Sequence, residues 1–128
     1  MTQTILAIDD SPEIHQLLKV RLKNLDVELT HADCGFDGFE QALAGNPDLI
    51  LLDVMMPDAS GFDICRKLKA TTETRNIPVI FLTGASDVDQ KVLGFDVGAV
   101  DYIQKPFDSA ELNARVRAAL RTKRFQDM

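Results

Sequence analysis

The stretch Leu49–Gly61, LILLDVMMPDASG, begins as four aliphatic residues fit for the middle of a sheet and ends its apolar run on a carboxylate, Asp53. A single aspartate there could be a turn former or a helix cap. Its meaning depends on what stands at the same level on neighbouring strands. Reading outward, TILAI (Thr4–Ile8) is an apolar strand candidate, and Ser11-Pro12 after it supplies a helix cap and a first-turn proline. Ile14, Leu17, Leu18, Leu22 and Leu25 follow at helical spacing. A second strand is predicted over Val27–His31 and a helix over Gly35–Ala44, which Asn46-Pro47 stops. Asp48–Leu52 is the third strand, Phe62–Lys69 a helix, Pro78–Leu82 the fourth strand and Asp87–Phe95 a helix with Val88, Val92 and Leu93 on one face. Asp101–Ile103 makes a short fifth strand. The last helix opens at Asp108, with Glu111 placed as in a capping box, and runs through Leu112, Val116, Ala119 and Leu120.

Five strands alternating with five helices, the strands apolar on both faces, predict an α/β fold: one doubly wound parallel sheet covered on both sides. With 128 residues and 45% hydrophobic content, the chain suits one domain with one core. Fourteen Lys and Arg against twenty Asp and Glu give a formal net charge of -6, which argues against direct binding to nucleic acid or an anionic membrane. The N-terminus turns acidic after four apolar residues, and no segment reaches the length of a membrane span, so a cytoplasmic location is expected. Cys34 and Cys65 stand apart with no metal-ligand spacing and read as reduced thiols. His15 and His31 read as structural or solvent-facing.

In such sheets ligands bind beyond the carboxyl ends of the strands. Asp9 and Asp10 follow the first strand, Asp53 the third, Thr83 the fourth and Lys105-Pro106 the fifth. Three carboxylates brought together repel one another unless a cation sits among them, and magnesium, a hard ion that favours oxygen ligands, is the natural one. Asp10 and Asp53 would be direct ligands, Asp9 direct or through water, and a backbone carbonyl near Met55 could complete the shell. The same arrangement makes Asp53 a nucleophile toward phosphorus, with Lys105 neutralising charge and Thr83 donating a hydrogen bond to the transferred oxygens.

With these residues the chain resembles the receiver domains of two-component response regulators, the CheY-like family. The resemblance rests on Asp9-Asp10, Asp53, Met56-Pro57 with Gly61, Thr83, Lys105-Pro106 and the aromatic Tyr102 on the fifth strand, and it covers residues 3 to about 122. No single motif carries it; the order and spacing do. It implies strand order 2-1-3-4-5, which the residue pattern does not yield. It also implies a magnesium-dependent phosphoacceptor that takes a phosphoryl group from a sensor histidine kinase onto Asp53. A cis Lys105-Pro106 bond would aim the ammonium inward. Gly84 should admit the phosphoryl group, and Met55 and Ala85 stand where the family tunes hydrolysis.

Phosphorylation would draw Thr83 to the new oxygens and let Tyr102 turn inward, changing the face made by the fourth helix, fifth strand and fifth helix. A homodimer, if one forms, is expected through that face. Other readings are weaker fits. A haloacid-dehalogenase-like phosphatase wants a second aspartate where Met55 stands, a flavin-binding loop would not read IDDSPE, and a contact-only receiver would not need the acidic edge. The C-terminal ARVRAALRTKRFQDM stays charged and helical without a stop signal. A receiver over 1–122, with 123–128 opening a helical extension into an output domain such as a diguanylate cyclase, is therefore expected. A single-domain receiver is the alternative.

Overall fold

A computed structural model describes residues 2–84 and 96–126, with side chains through Lys123. The helix predicted over 87–95, and Ala85, lie outside the described residues. Five parallel strands form one sheet in the order β2-β1-β3-β4-β5, with β1 over Gln3–Ile8, β2 over Val27–Ala32, β3 over Leu49–Asp53, β4 over Val79–Thr83 and β5 over Asp101–Gln104. Three helices, α1 (Pro12–Arg21), α2 (Gly35–Gly45) and α3 (Gly61–Ala70), fall between them, and a C-terminal helix spans Ser109–Gln126.

Every residue of β3 and β4 is buried, as continuous apolar runs require when helices cover both faces. Successive side chains go to opposite sides. Leu6, Ile8, Ile50, Leu52 and Phe81 meet Phe39 and Ala42 of α2 and Ile64, Cys65 and Leu68 of α3. Ile5, Ala7, Leu49, Leu51, Ile80 and Leu82 meet Leu18 of α1 and Leu112, Val116, Ala119 and Leu120 of the C-terminal helix. A one-residue slip in any strand would exchange these two sets, so the register is held by both cores at once.

The helix ends follow local chemistry. Ser11 Oγ accepts from the Ile14 N–H at 3.4 Å with Pro12 in the first turn. Asn46 takes the left-handed conformation, φ 45°, that ends α2. At the C-terminal helix only half of the predicted capping box forms. Asp108 accepts from the Glu111 N–H, while the Glu111 carboxylate turns to Arg115 instead of reaching back.

The strand bounds differ by a residue from those predicted. β3 ends on Asp53 and not Leu52, and β4 ends on Thr83, because the ladder still pairs Asp53 with Leu82 and Thr83 with Gln104. Asp48, predicted within β3, precedes it and accepts the Thr4 N–H at 2.8 Å. The C-terminal helix still touches the body at Lys123, whose side chain is buried and whose Nζ lies 4.0 Å from Asp48.

Candidate functional site

Strand order reverses between β1 and β3, and the site lies at the carboxyl ends of those strands. The register places it. Ile8 pairs with Leu52, so Asp9 follows at the level of Asp53, and Thr83 pairs with Gln104, so Lys105 lies one step beyond. Asp9 is fully buried and Asp53 nearly so, whereas Asp10 is exposed. Asp9, Asp10 and Asp53 each offer a carboxylate oxygen, and these oxygens lie within 4.8 Å of one another. Lys105 Nζ reaches Asp9 Oδ2 at 3.0 Å and Asp53 Oδ1 at 3.4 Å, and the Lys105-Pro106 peptide is cis.

Asp9 is held from several directions. Its Oδ1 accepts the Ser11 N–H at 2.9 Å, its own N–H donates to the Ala32 carbonyl, and its carbonyl lies 2.7 Å from His15 Nε2. Burial pushes the Asp53 carboxyl above the ordinary carboxylate range, and the charge of Asp9 adds to the rise. Lys105 and the Met55 N–H oppose it. Three carboxylates facing one ammonium leave excess negative charge at this edge. All-oxygen donors, two buried and one open to water, suit a hard divalent cation such as magnesium, which retains waters.

Thr83 is buried at the end of β4, and a side chain at Gly84 would meet open space, so room remains beside the threonine. The Tyr102 ring is already inside, packed on Phe81 with centroids 5.8 Å apart. Met55 stands at the base of the loop after β3 in an antiparallel bridge to Ser60, its side chain pointing to solvent.

Gly61 closes that loop. Its N–H donates to the Val54 carbonyl at 2.7 Å, and a Cβ here would sit 2.1 Å from the Asp53 carbonyl oxygen. Gly61→Ala is accordingly expected to cost about 2 kcal/mol, within the range for overpacking against a part that cannot yield. Chemical denaturation would check this, and an unchanged midpoint would show that the loop shifts freely.

Two contacts lay beyond sequence reasoning. His15 is mostly buried and stacks against His31 with centroids 4.7 Å apart, supporting the Asp9 backbone. Asp58 caps α2 from a distance, with the Gly35 and Phe36 N–H groups donating to its two oxygens. The signal available for the second was Cys34, a poor cap at the start of α2. Cys65 is buried and its thiol pushed up to about 11 by burial, and Cys34 is partly exposed; both are free thiols.

Residues 5–117 match the response regulator receiver domain family. The chain belongs to that family. As a receiver domain it is 44% identical over 117 residues to the DNA-binding dual master transcriptional regulator RpaA of Synechocystis sp., covering 91% of this chain and 48% of that protein. It is 41% identical over 128 residues to the response regulator ArlR of Staphylococcus aureus, covering all of this chain and 57% of the relative. The receiver domain thus spans about half the length of these curated relatives. Among solved structures it superposes on the chemotaxis protein CheY4 of Vibrio cholerae with a TM-score of 0.87 at 27% identity, covering 93% of this chain and 99% of that one. Among the described residues no helix is long and apolar enough to cross a membrane.

Proposed function

We propose that Asp53 is the phosphoacceptor of this receiver domain, taking a phosphoryl group from a phosphohistidine of a sensor histidine kinase or phosphotransfer protein. The observation that carries the reading is Lys105 Nζ lying between Asp9 and Asp53 at the carboxyl edge of the sheet. An Asp53 oxygen forms the new bond to phosphorus as the P–N bond of the donor breaks and the imidazole leaves. Lys105 moves its charge from the paired carboxylates to the transferred oxygens, and Thr83 donates its hydroxyl to one of them. Asp9, Asp10, Asp53 and the Met55 carbonyl would hold Mg2+, which would supply positive charge to offset that on the transferred oxygens. The hydrogen bond from His15 and the Ser11 N–H keep Asp9 in place while this happens.

In the signalling step Thr83, drawn to the phosphoryl group, favours the buried Tyr102 seen here and alters the face that includes β5 and the C-terminal helix. A homodimer through that face and the helix predicted over 87–95 follows from the same reading. The receiver occupies residues 1–122, and the helix from 123 leads to an output domain. A relative named as DNA-binding, about twice as long, favours a DNA-binding output over the diguanylate cyclase expected from the helix alone. The chain, with a formal net charge of -6, is not expected to make direct nucleic-acid contact through the receiver. Similarity over nearly all of CheY4 keeps a stand-alone receiver as the second reading.

Intact mass after incubation with acetyl phosphate tests the proposal. A gain of one phosphoryl group with magnesium and none without it is expected. No gain from a folded chain under either condition would overturn it.

A further inference from the structure

The sheet is covered unevenly on the side of α1. A parallel sheet between two layers of helices calls for strands closed on both faces, as β3 and β4 are. β2 is an edge strand, and on this side α1 leaves it partly open. Val27 and Leu29 of β2, and Leu25 just before it, pack against the same core as Leu18 of α1 yet are only half-buried. With the flank of α1 they wall a cavity of about 790 Å3, within the range of about 300–1,000 Å3 in which small-molecule sites fall. The polar groups around this apolar floor are sorted by charge. Toward the amino edge of the sheet stand Lys19, in the last turn of α1, and Lys23 just beyond that helix, both exposed. Neither forms an ion pair among the described residues. Toward the carboxyl edge the cavity ends on Asp33 and on the stacked rings of His15 and His31. Lysines near the last turn suit the negative end of α1, but that role does not call for an open apolar floor beside them.

We propose that the groove between α1 and β2 binds a small amphipathic anion, a carboxylate or sulfonate carried on an aromatic or aliphatic body. The body lies on Leu25, Val27 and Leu29 and takes their remaining apolar surface out of water. The acid group meets Lys19 and Lys23, whose charges have no partner within the chain. Asp33 repels an anion at the histidine end, which sets the direction in which the ligand lies. An anionic membrane surface fits less well, because the two lysines flank a recess in a chain of net charge -6. Neither the phosphoacceptor nor the acidic edge takes part, so the inference stands apart from the reading above.

The probe is anilinonaphthalene sulfonate, an aromatic sulfonate, added to the whole chain while its amide resonances are followed by NMR. A saturable shift centred on residues 15–33 is expected, with the rest of the native spectrum in place. The retained spectrum separates a site from the loose dye binding of a partly unfolded chain. Lys19→Glu combined with Lys23→Glu should raise the dissociation constant about five- to ten-fold, the scale set by losing exposed ion pairs. Lys19→Arg combined with Lys23→Arg keeps both charges and should leave the constant near its wild-type value. Both changes fall on exposed side chains, and circular dichroism checks that each variant is folded. Phenylnaphthylamine, which has the same body without the charge, should bind more weakly than the sulfonate, and added salt should narrow the gap. The inference is overturned by any of three results: no shift at millimolar probe, shifts centred instead on the neighbouring cavity at Arg117 and Arg121, or equal affinity of the sulfonate for wild type and the paired Glu variant.

Discussion

Asp53→Asn is expected to abolish phosphoryl uptake from acetyl phosphate and, in the metal-free chain at neutral pH, to raise the thermal midpoint. The first effect follows because an amide offers no carboxylate oxygen to phosphorus. The second comes from the electrostatics. Burial and the neighbouring Asp9 raise the Asp53 carboxyl above its unfolded value, and Lys105 with the Met55 N–H only partly offsets this. A folded state with a raised carboxyl binds more protons than the unfolded chain between the two pKa values, so stability is lost as pH rises through that window. At neutral pH the charge on Asp53 is a net cost to folding, and asparagine removes it. The midpoint should rise by a few degrees, the scale that about 1 kcal/mol sets in a domain of this size.

The advantage should shrink as pH falls through the raised range of the folded carboxyl and be lost below the unfolded value of about 4, where the group is protonated in both states. Magnesium should reverse the order at neutral pH, since it stabilises the chain that binds it more tightly. Thermal unfolding at two pH values, with and without the ion, reads all of this. A lower midpoint for the metal-free variant at neutral pH would mean that the bond to Lys105 outweighs burial.

The expected gain in stability on losing a reactive group is also a reason the site was legible at all. Asp53 ends an aliphatic run in a place where folding alone favours a neutral residue, and such conflicts between local rule and observed residue mark function. The sheet was readable for a related reason. Strands that are apolar on both faces admit little but a covered parallel sheet, and the carboxyl-edge rule then singles out five residues. Less legible was anything that depends on partners distant in the chain. The last paired residue of β3 and β4 is decided by the neighbouring strand, so periodicity stopped a residue short of Asp53 and Thr83. His15 falls on the polar side of α1 by its spacing, yet β2 supplies His31 and closes over it. Asp58 looks like one more turn residue after Pro57, and only the fold carries it to α2, 23 positions away from Gly35. The capping box at Asp108 failed by half because Arg115, one turn on, competes for Glu111.

Lys105→Met should have the other large effect, and it acts on rate and stability by separable routes. Removing the ammonium deprives the transition state of a fixed positive charge at the transferred oxygens, for which a loss of about 10²- to 10³-fold in phosphorylation rate is expected at saturating magnesium. It also leaves Asp9, wholly buried, and Asp53 facing each other without a cation. Breaking such a pair by deleting one partner costs about 2–3 kcal/mol here, below the figure for a fully enclosed pair because the Lys105 side chain is 21% exposed. Since the cost is that of two uncompensated carboxylates, it should be greatest at neutral pH and fall as pH is lowered and one of them is protonated. Magnesium should restore much of the stability, because a divalent ion can stand among the same oxygens. It should not restore the rate, because a cation bound among the carboxylates does not replace the ammonium that moves to the phosphoryl group. Rates from intact mass and unfolding midpoints, both taken across a magnesium titration, separate the two roles. A variant whose rate recovers with its stability would show that Lys105 does no more than hold the acidic edge together.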